Sequence, residues 1–148
     1  MRISKKAEYA LRALTAIARH RTKSWSIQEL SDQERIPLKF LEQILLTLRH
    51  AGILSSKRGV RGGYTLVRLP EEIRIGDVIA HFDGPLAPVA CAGDKPAQPC
   101  TCPDPRTCPL RKMMTGIRKE LGEILDSRSI EDMVKLAPAT GGSLAFDI

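Results

Sequence analysis

Between Pro37 and Leu69 the spacing of hydrophobic residues changes from one period to another. Leu38, Leu41, Leu45 and Leu48 recur at helical intervals, while Lys39, Glu42, Gln43, Leu46 and Arg49 fall at i, i+3, i+4, i+7 and i+10 on a second face. The spacing predicts a helix of about four turns, with one face that packs and one left to contact something else. Pro37 suits its first turn, where a backbone N–H has no partner in any case, and Gly52 suits its end, where a left-handed residue is needed. Ile53 to Lys57 and Tyr64 to Leu69 then read as two short strands, joined by a turn that holds Gly59, Gly62 and Gly63 and carries Lys57, Arg58 and Arg61.

Upstream, residues 3 to 20 gather Ile3, Ala7, Ala10, Leu11, Leu14, Ile17 and Ala18 on one side of a first amphipathic helix. Ser26-Ile27-Gln28-Glu29 has the form of a capping box, so a short second helix starts near Ile27 and ends around Glu34, with Arg35-Ile36 as a tight turn. Downstream, Ile75 to Phe82 predicts a short helix closed by Gly84-Pro85. Seven prolines between residues 83 and 109 exclude a regular element there. Residues 110 to 126 form a helix again, with Leu110, Met113, Met114, Ile117, Leu121, Ile124 and Leu125 in a near-heptad stripe that must be covered, by preference by a second copy of the chain. Ser129 caps a last short helix through Ile130, Met133 and Leu136, and the glycine-containing end beyond Pro138 reads as mobile.

Helix, helix, tight turn, helix and basic hairpin is the order of a winged helix-turn-helix, in which the third helix fits the major groove and the hairpin reaches an adjacent backbone or minor groove. An ordinary α/β core with a solvated charged turn is the alternative for this stretch alone. The expected fold is mainly α with a small β-hairpin, divided into a winged helix-turn-helix domain at 1–83, a cysteine-rich loop at 84–109, a dimerisation helix with a short C-terminal helix at 110–136, and a flexible tail at 137–148.

Charge sharpens the picture. Of the net +6, residues 1 to 68 hold 14 Lys and Arg against 5 Asp and Glu, a local +9, and the remainder carries −3. A polyanion partner for the basic half is the economical explanation, because phosphate neutralisation supplies most non-specific DNA affinity. With 43% hydrophobic and only 4% aromatic residues, the core is aliphatic. No apolar run approaches the roughly 20 residues that span a bilayer, and the charged N-terminus is unlike a signal peptide, so a cytoplasmic protein is expected. His20, His50 and His81 fall on separate predicted helices, and no catalytic constellation emerges.

All four cysteines lie within 18 residues, as C-x8-C-x-C-x5-C from Cys91 through Cys100 and Cys102 to Cys108. Such clustering points to a metal or cluster rather than to disulfides. The paired CxxC knuckles of a zinc ribbon are absent and the loop has no histidine, which favours an iron–sulfur cluster over zinc without excluding zinc.

RISKKAEYALRAL, IPLKFLEQILLTLRHAGILSSKRGVRGGYTL, and a cysteine loop followed by CPLRK together resemble the IscR/NsrR-type family of bacterial winged-helix transcription regulators, over about residues 1 to 127. The resemblance implies a homodimer built on the long helix, binding palindromic double-stranded DNA, with a 2Fe-2S or 4Fe-4S cluster on three cysteines. It assigns Cys91 to the first ligand position and Cys102 and Cys108 to the last two. Cys100 is additional. Because the interval from Cys91 to Cys102 is longer than the family's, Cys100 either replaces Cys102 or serves as a fourth ligand or resolving thiol. Glu8 lies where some members offer a carboxylate from the partner subunit, and a solvated helix residue is the equal alternative. On the DNA side Lys39, Phe40, Glu42 and Gln43 match the recognition helix, and Lys57, Arg58, Arg61, Gly62, Gly63 and Tyr64 match the wing. The expected function is promoter binding controlled by an iron–sulfur cluster. A structural zinc or thiol-redox loop on the same fold, or an iron–sulfur carrier with an incidental basic face, are the rivals.

Overall fold

A computed structural model describes residues 2–93 and 99–139 of the chain. Helix α1 (Lys5–Arg19) starts where the Ser4 side chain accepts from the Ala7 N–H, and it buries an alanine-rich face with Leu14 and Ile17. Those small residues let neighbouring elements pack closely against the helix. Helix α2 (Ile27–Glu34) opens on the expected capping box: the Glu29 N–H donates to Ser26 Oγ at 3.2 Å and the Ser26 N–H to the Glu29 carboxylate at 3.0 Å. It ends at Arg35, which takes a left-handed conformation with φ of 52°. The Ile36 N–H then donates to the Ser31 carbonyl at 3.1 Å, and the Ser31 hydroxyl returns a bond to the Ile36 carbonyl at 2.7 Å. This double tie sets the tight turn into helix α3 (Leu38–His50).

Leu41, Leu45 and Leu48 are buried as expected, together with Ile44, but Leu38 is exposed. The buried side chain at that end is Ile36, from the turn itself, so the first residue of α3 has no core to enter. Gly52 has φ of 71°, beyond the end of α3, and leads into strand β1 (Leu54–Lys57), antiparallel to β2 (Gly63–Leu66). The second strand is shorter than the expected Tyr64–Leu69. Leu66 already pairs with Leu54, the first residue of β1, and only the Val67 N–H bond to the Ile53 carbonyl extends the ladder.

After a 3-10 turn at Pro70–Glu72, helix α4 (Ile75–Asp83) buries Val78 and Ile79 and stops at Gly84, whose φ is 71°. The proline-rich stretch is not wholly irregular: Ala90–Ala92, with Cys91 at its centre, makes a single 3-10 turn that fits between prolines and packs on the following helix. Helix α5 (Pro109–Asp126) and helix α6 (Ile130–Leu136) meet at a sharp elbow. The elbow is fastened to the body, with the Ile75 N–H donating to the Arg128 carbonyl and the Ile130 N–H to the Ile73 carbonyl, both at 3.0 Å. Helix α6 then lies on α1, and α5 leaves the body as an arm touched by α4 and the Cys91 turn. The expected mobile tail falls largely on residues 140–148, outside the described residues.

Candidate functional site

Helix α3 turns Lys39, Glu42, Gln43, Leu46 and Arg49 outward, all exposed. Its position is fixed from behind by α1. The Arg12 guanidinium donates to the Glu34 carbonyl at the end of α2, lies 3.8 Å from the Glu34 carboxylate, and stacks 5.5 Å over the Tyr9 ring. Tyr9 in turn meets Phe40 edge to face, ring centres 6.2 Å apart. Phe40 is therefore a partly exposed surface aromatic with one side on Tyr9, not a core residue. Sequence reading missed Tyr9 and Arg12 as braces of the reading helix, because their partners Phe40 and Glu34 lie far along the chain.

The wing is tied to the body by Trp25, a residue also missed. It forms an antiparallel bridge with Tyr64, the Tyr64 N–H donating to the Trp25 carbonyl at 2.7 Å and the Trp25 N–H to the Tyr64 carbonyl at 3.0 Å. This close approach explains two glycines. Gly63 has φ of 148°, and a Cβ there would stand 2.5 Å from the Trp25 carbonyl oxygen; one on Gly62 would collide with the Lys57 carbonyl. Gly62, Gly63 and the Tyr64 backbone thus close the wing's base, while Lys57, Arg58 and Arg61 are exposed on it, with Val60 at the tip. Gly63→Ala is expected to cost on the order of 1–3 kcal/mol of stability, through backbone strain and loss of the Trp25 bridge, measured by denaturant unfolding.

At the start of α5 the thiols of Cys108 and Cys102 lie 3.7 Å apart. Between them Asp104 accepts from the Arg106 N–H at 3.0 Å and from the Thr107 hydroxyl at 3.1 Å, a local turn that brings the chain back on itself. Cys108 stands at the N-cap position of α5 without a side-chain capping bond, and the backbone N–H of Arg111 beside it lowers its pKa. The pKa of Cys102 is raised to about 11 by its hydrogen-bonding to Cys100 and Cys108 and by their negative charge when ionised, so the two neighbouring thiols are shifted in opposite directions. The Cys102 N–H also donates to Cys100 Sγ at 3.4 Å. Cys91 sits on its own turn beside α5. Glu8 is engaged elsewhere: Lys5 Nζ at 2.8 Å lowers its pKa, and Arg12 lies at 3.7 Å.

Two thiolates on one tetrahedral centre, with metal–sulfur bonds of about 2.3 Å, stand roughly 3.8 Å apart, and the Cys102–Cys108 separation matches that bite. Among the described residues no three His, Cys, Asp or Glu side chains already converge. Chemistry and spacing of the pair fit; a third donor requires the loop or a second subunit to close in.

Residues 3–136 match the Rrf2 family, described as iron-dependent transcriptional regulators. The chain belongs to this family. An rrf2-like HTH-type transcriptional regulator of Rhodobacter capsulatus is 36% identical to it over 89% of this chain and 91% of its own length. CymR of Bacillus subtilis is 33% identical over 90% of this chain and 89% of its own. The solved structure of that CymR, described as the global cysteine regulator, superposes with a TM-score of 0.76 at 29% identity, covering 93% of this chain and 99% of the other. The structure of IscR from T. potens gives 0.73 at 27% identity, over 95% and 94%. As in its Rrf2 relatives, the fold is a DNA-binding winged helix and the protein is a transcriptional regulator, not an enzyme. Among the described residues no helix is long and apolar enough to cross a membrane.

Proposed function

We propose that this Rrf2 regulator binds palindromic promoter DNA as a homodimer under the control of an iron–sulfur cluster held by Cys91, Cys102 and Cys108. The observation that carries the reading is the thiol pair at ligand spacing just before α5, the helix whose apolar stripe is left exposed within the chain. When bound, the cluster supplies a centre whose presence and charge depend on oxidant, nitric oxide or iron supply. The chain's own part is mechanical: Cys102 and Cys108 fix the entry into α5, Cys91 fixes the turn beside it, and both lie between the DNA-binding body and the dimer arm. Glu8 would join only by releasing Lys5. A second reading, a zinc or thiol loop on the same fold, is favoured by the likeness to CymR, whose solved structure is described as that of a cysteine regulator. Metal and sulfide analysis with the visible absorption of anaerobically purified protein separates the two.

Lys39, Phe40, Glu42 and Gln43 present α3 to the major groove, and Lys57, Arg58 and Arg61 present the wing to the backbone. Phosphate contacts carry affinity and base-edge contacts carry preference. Arg58→Ala or Arg61→Ala should weaken binding to all sequences alike and reduce the salt slope by roughly one per lost contact in each subunit. Glu42→Ala should instead change which sequences are recovered from a randomised pool. An unchanged pool would remove Glu42 from the reading set.

A further inference from the structure

We infer that Leu46 is a base-reading residue, making an apolar contact with the 5-methyl group of a thymine in the major groove. The inference rests on the reading of α3 as the helix that enters that groove. Leu46 lies on the polar face, three residues after Gln43 and four after Glu42, and is 48% exposed, whereas its neighbours Ile44, Leu45 and Leu48 are fully buried. It is neither in the core cluster nor among the side chains packed against it. One turn later Arg49 donates to Ser56 of β1 at 3.1 Å. The wing strand therefore abuts the end of α3, and Leu46 occupies the open surface between that contact and the first reading positions.

A single exposed leucine is ordinary on a protein surface. This one is on the face that DNA would cover, so its methyl groups lose water when the complex forms. The major-groove edges of the bases offer amino and carbonyl groups, which are costly to desolvate without hydrogen bonds, and one apolar group, the thymine methyl. Four residues of helix advance ~6 Å, close to two base-pair steps of about 3.4 Å. The thymine should thus lie within about two base pairs of the position whose identity Glu42 sets, and once in each half-site.

The test uses the full-length protein and the duplex it selects from a randomised pool. Each thymine is replaced in turn by deoxyuridine, which keeps every hydrogen-bonding edge and lacks only the methyl. At one position per half-site the replacement should weaken wild-type binding about fourfold, the value of one buried methyl. The same replacement should leave Leu46→Ala unaffected, and Leu46→Met, which keeps an apolar side chain of similar reach, should retain the sensitivity. Since the side chain is exposed, Leu46→Ala should melt with the wild type. Should no deoxyuridine position matter to the wild type, or should the penalty persist in Leu46→Ala, the contact does not exist. Glu42→Ala separates the two levels of failure. If it shifts the selected sequence while Leu46→Ala does not, only the Leu46 contact falls; if neither shifts it, α3 is not the reading helix and the larger proposal loses its interface.

Discussion

Replacing Ile117 and Leu121 with lysine is expected to abolish the proposed dimer and to lower affinity for an inverted-repeat operator by at least a hundredfold. Helix α5 has eighteen residues and buries none of them within the chain. Met113 and Ile124 are 65% and 58% exposed, Leu110 and Ile117 are exposed as well, and only Met114, Leu121 and Leu125 are partly covered by the body. Each large aliphatic side chain covered by a partner contributes about 1.5–3 kcal/mol. In a two-fold interface every residue acts twice, so two substitutions introduce four desolvated ammonium groups. Folding should survive, since the elbow after α5 is held by backbone bonds at Arg128 and Ile130 and no residue of α5 is fully buried in the core. The loss in DNA affinity follows from multivalency: two reading heads tethered together bind about 10²–10⁴ times more tightly than one. Sedimentation equilibrium, with circular dichroism as the folding control, measures the change. A dimer persisting in the double-lysine protein would mean that α5 is not the interface.

The wing and the tri-helical body were legible in the sequence because local and global signals agree there. The Ser26–Glu29 capping box, the leucine stripe of α3 and the glycines of the hairpin each specify a short-range geometry, and the packing uses all of them. Leu38 departs from its stripe because periodicity says which side a residue is on, not whether the core extends that far. The second strand was overextended for a similar reason: Val67 and Leu69 have strand-like character, but a ladder ends where its partner begins, at Leu54. The Trp25 bridge to Tyr64 and the Arg12 brace join residues distant in sequence, and nothing in local spacing announces such contacts. The cysteine loop was legible as chemistry and not as geometry. Spacing identified thiols that belong together, whereas the pairing of Cys102 with Cys108 depends on the turn around Asp104 and on the N-cap position of α5.

That pairing sets the other large effect. Alanine at Cys91, Cys102 or Cys108 should each abolish the visible absorption of anaerobically purified protein and leave operator affinity at the value reached when iron is chelated from the wild type. Cys100→Ala should be milder, since Cys100 touches the loop through the Cys102 N–H and the Cys102–Cys108 pair survives its removal. The physical reason is that thiolates held on one centre fix a segment which, between Pro85 and Pro109, has a single 3-10 turn of its own among the described residues. Released, the segment would no longer constrain how α5 leaves the body, nor therefore the separation of two recognition helices on the operator. A regulator that moves a promoter from nearly empty to nearly full needs about 5.5 kcal/mol between its states, and a few kcal/mol already gives a usable switch. Operator titrations of holo protein, chelated protein and Cys108→Ala at one salt concentration measure that difference directly. Equal affinity in all three would mean that the thiols, whatever they bind, do not control DNA binding, and the signal would have to enter the protein elsewhere.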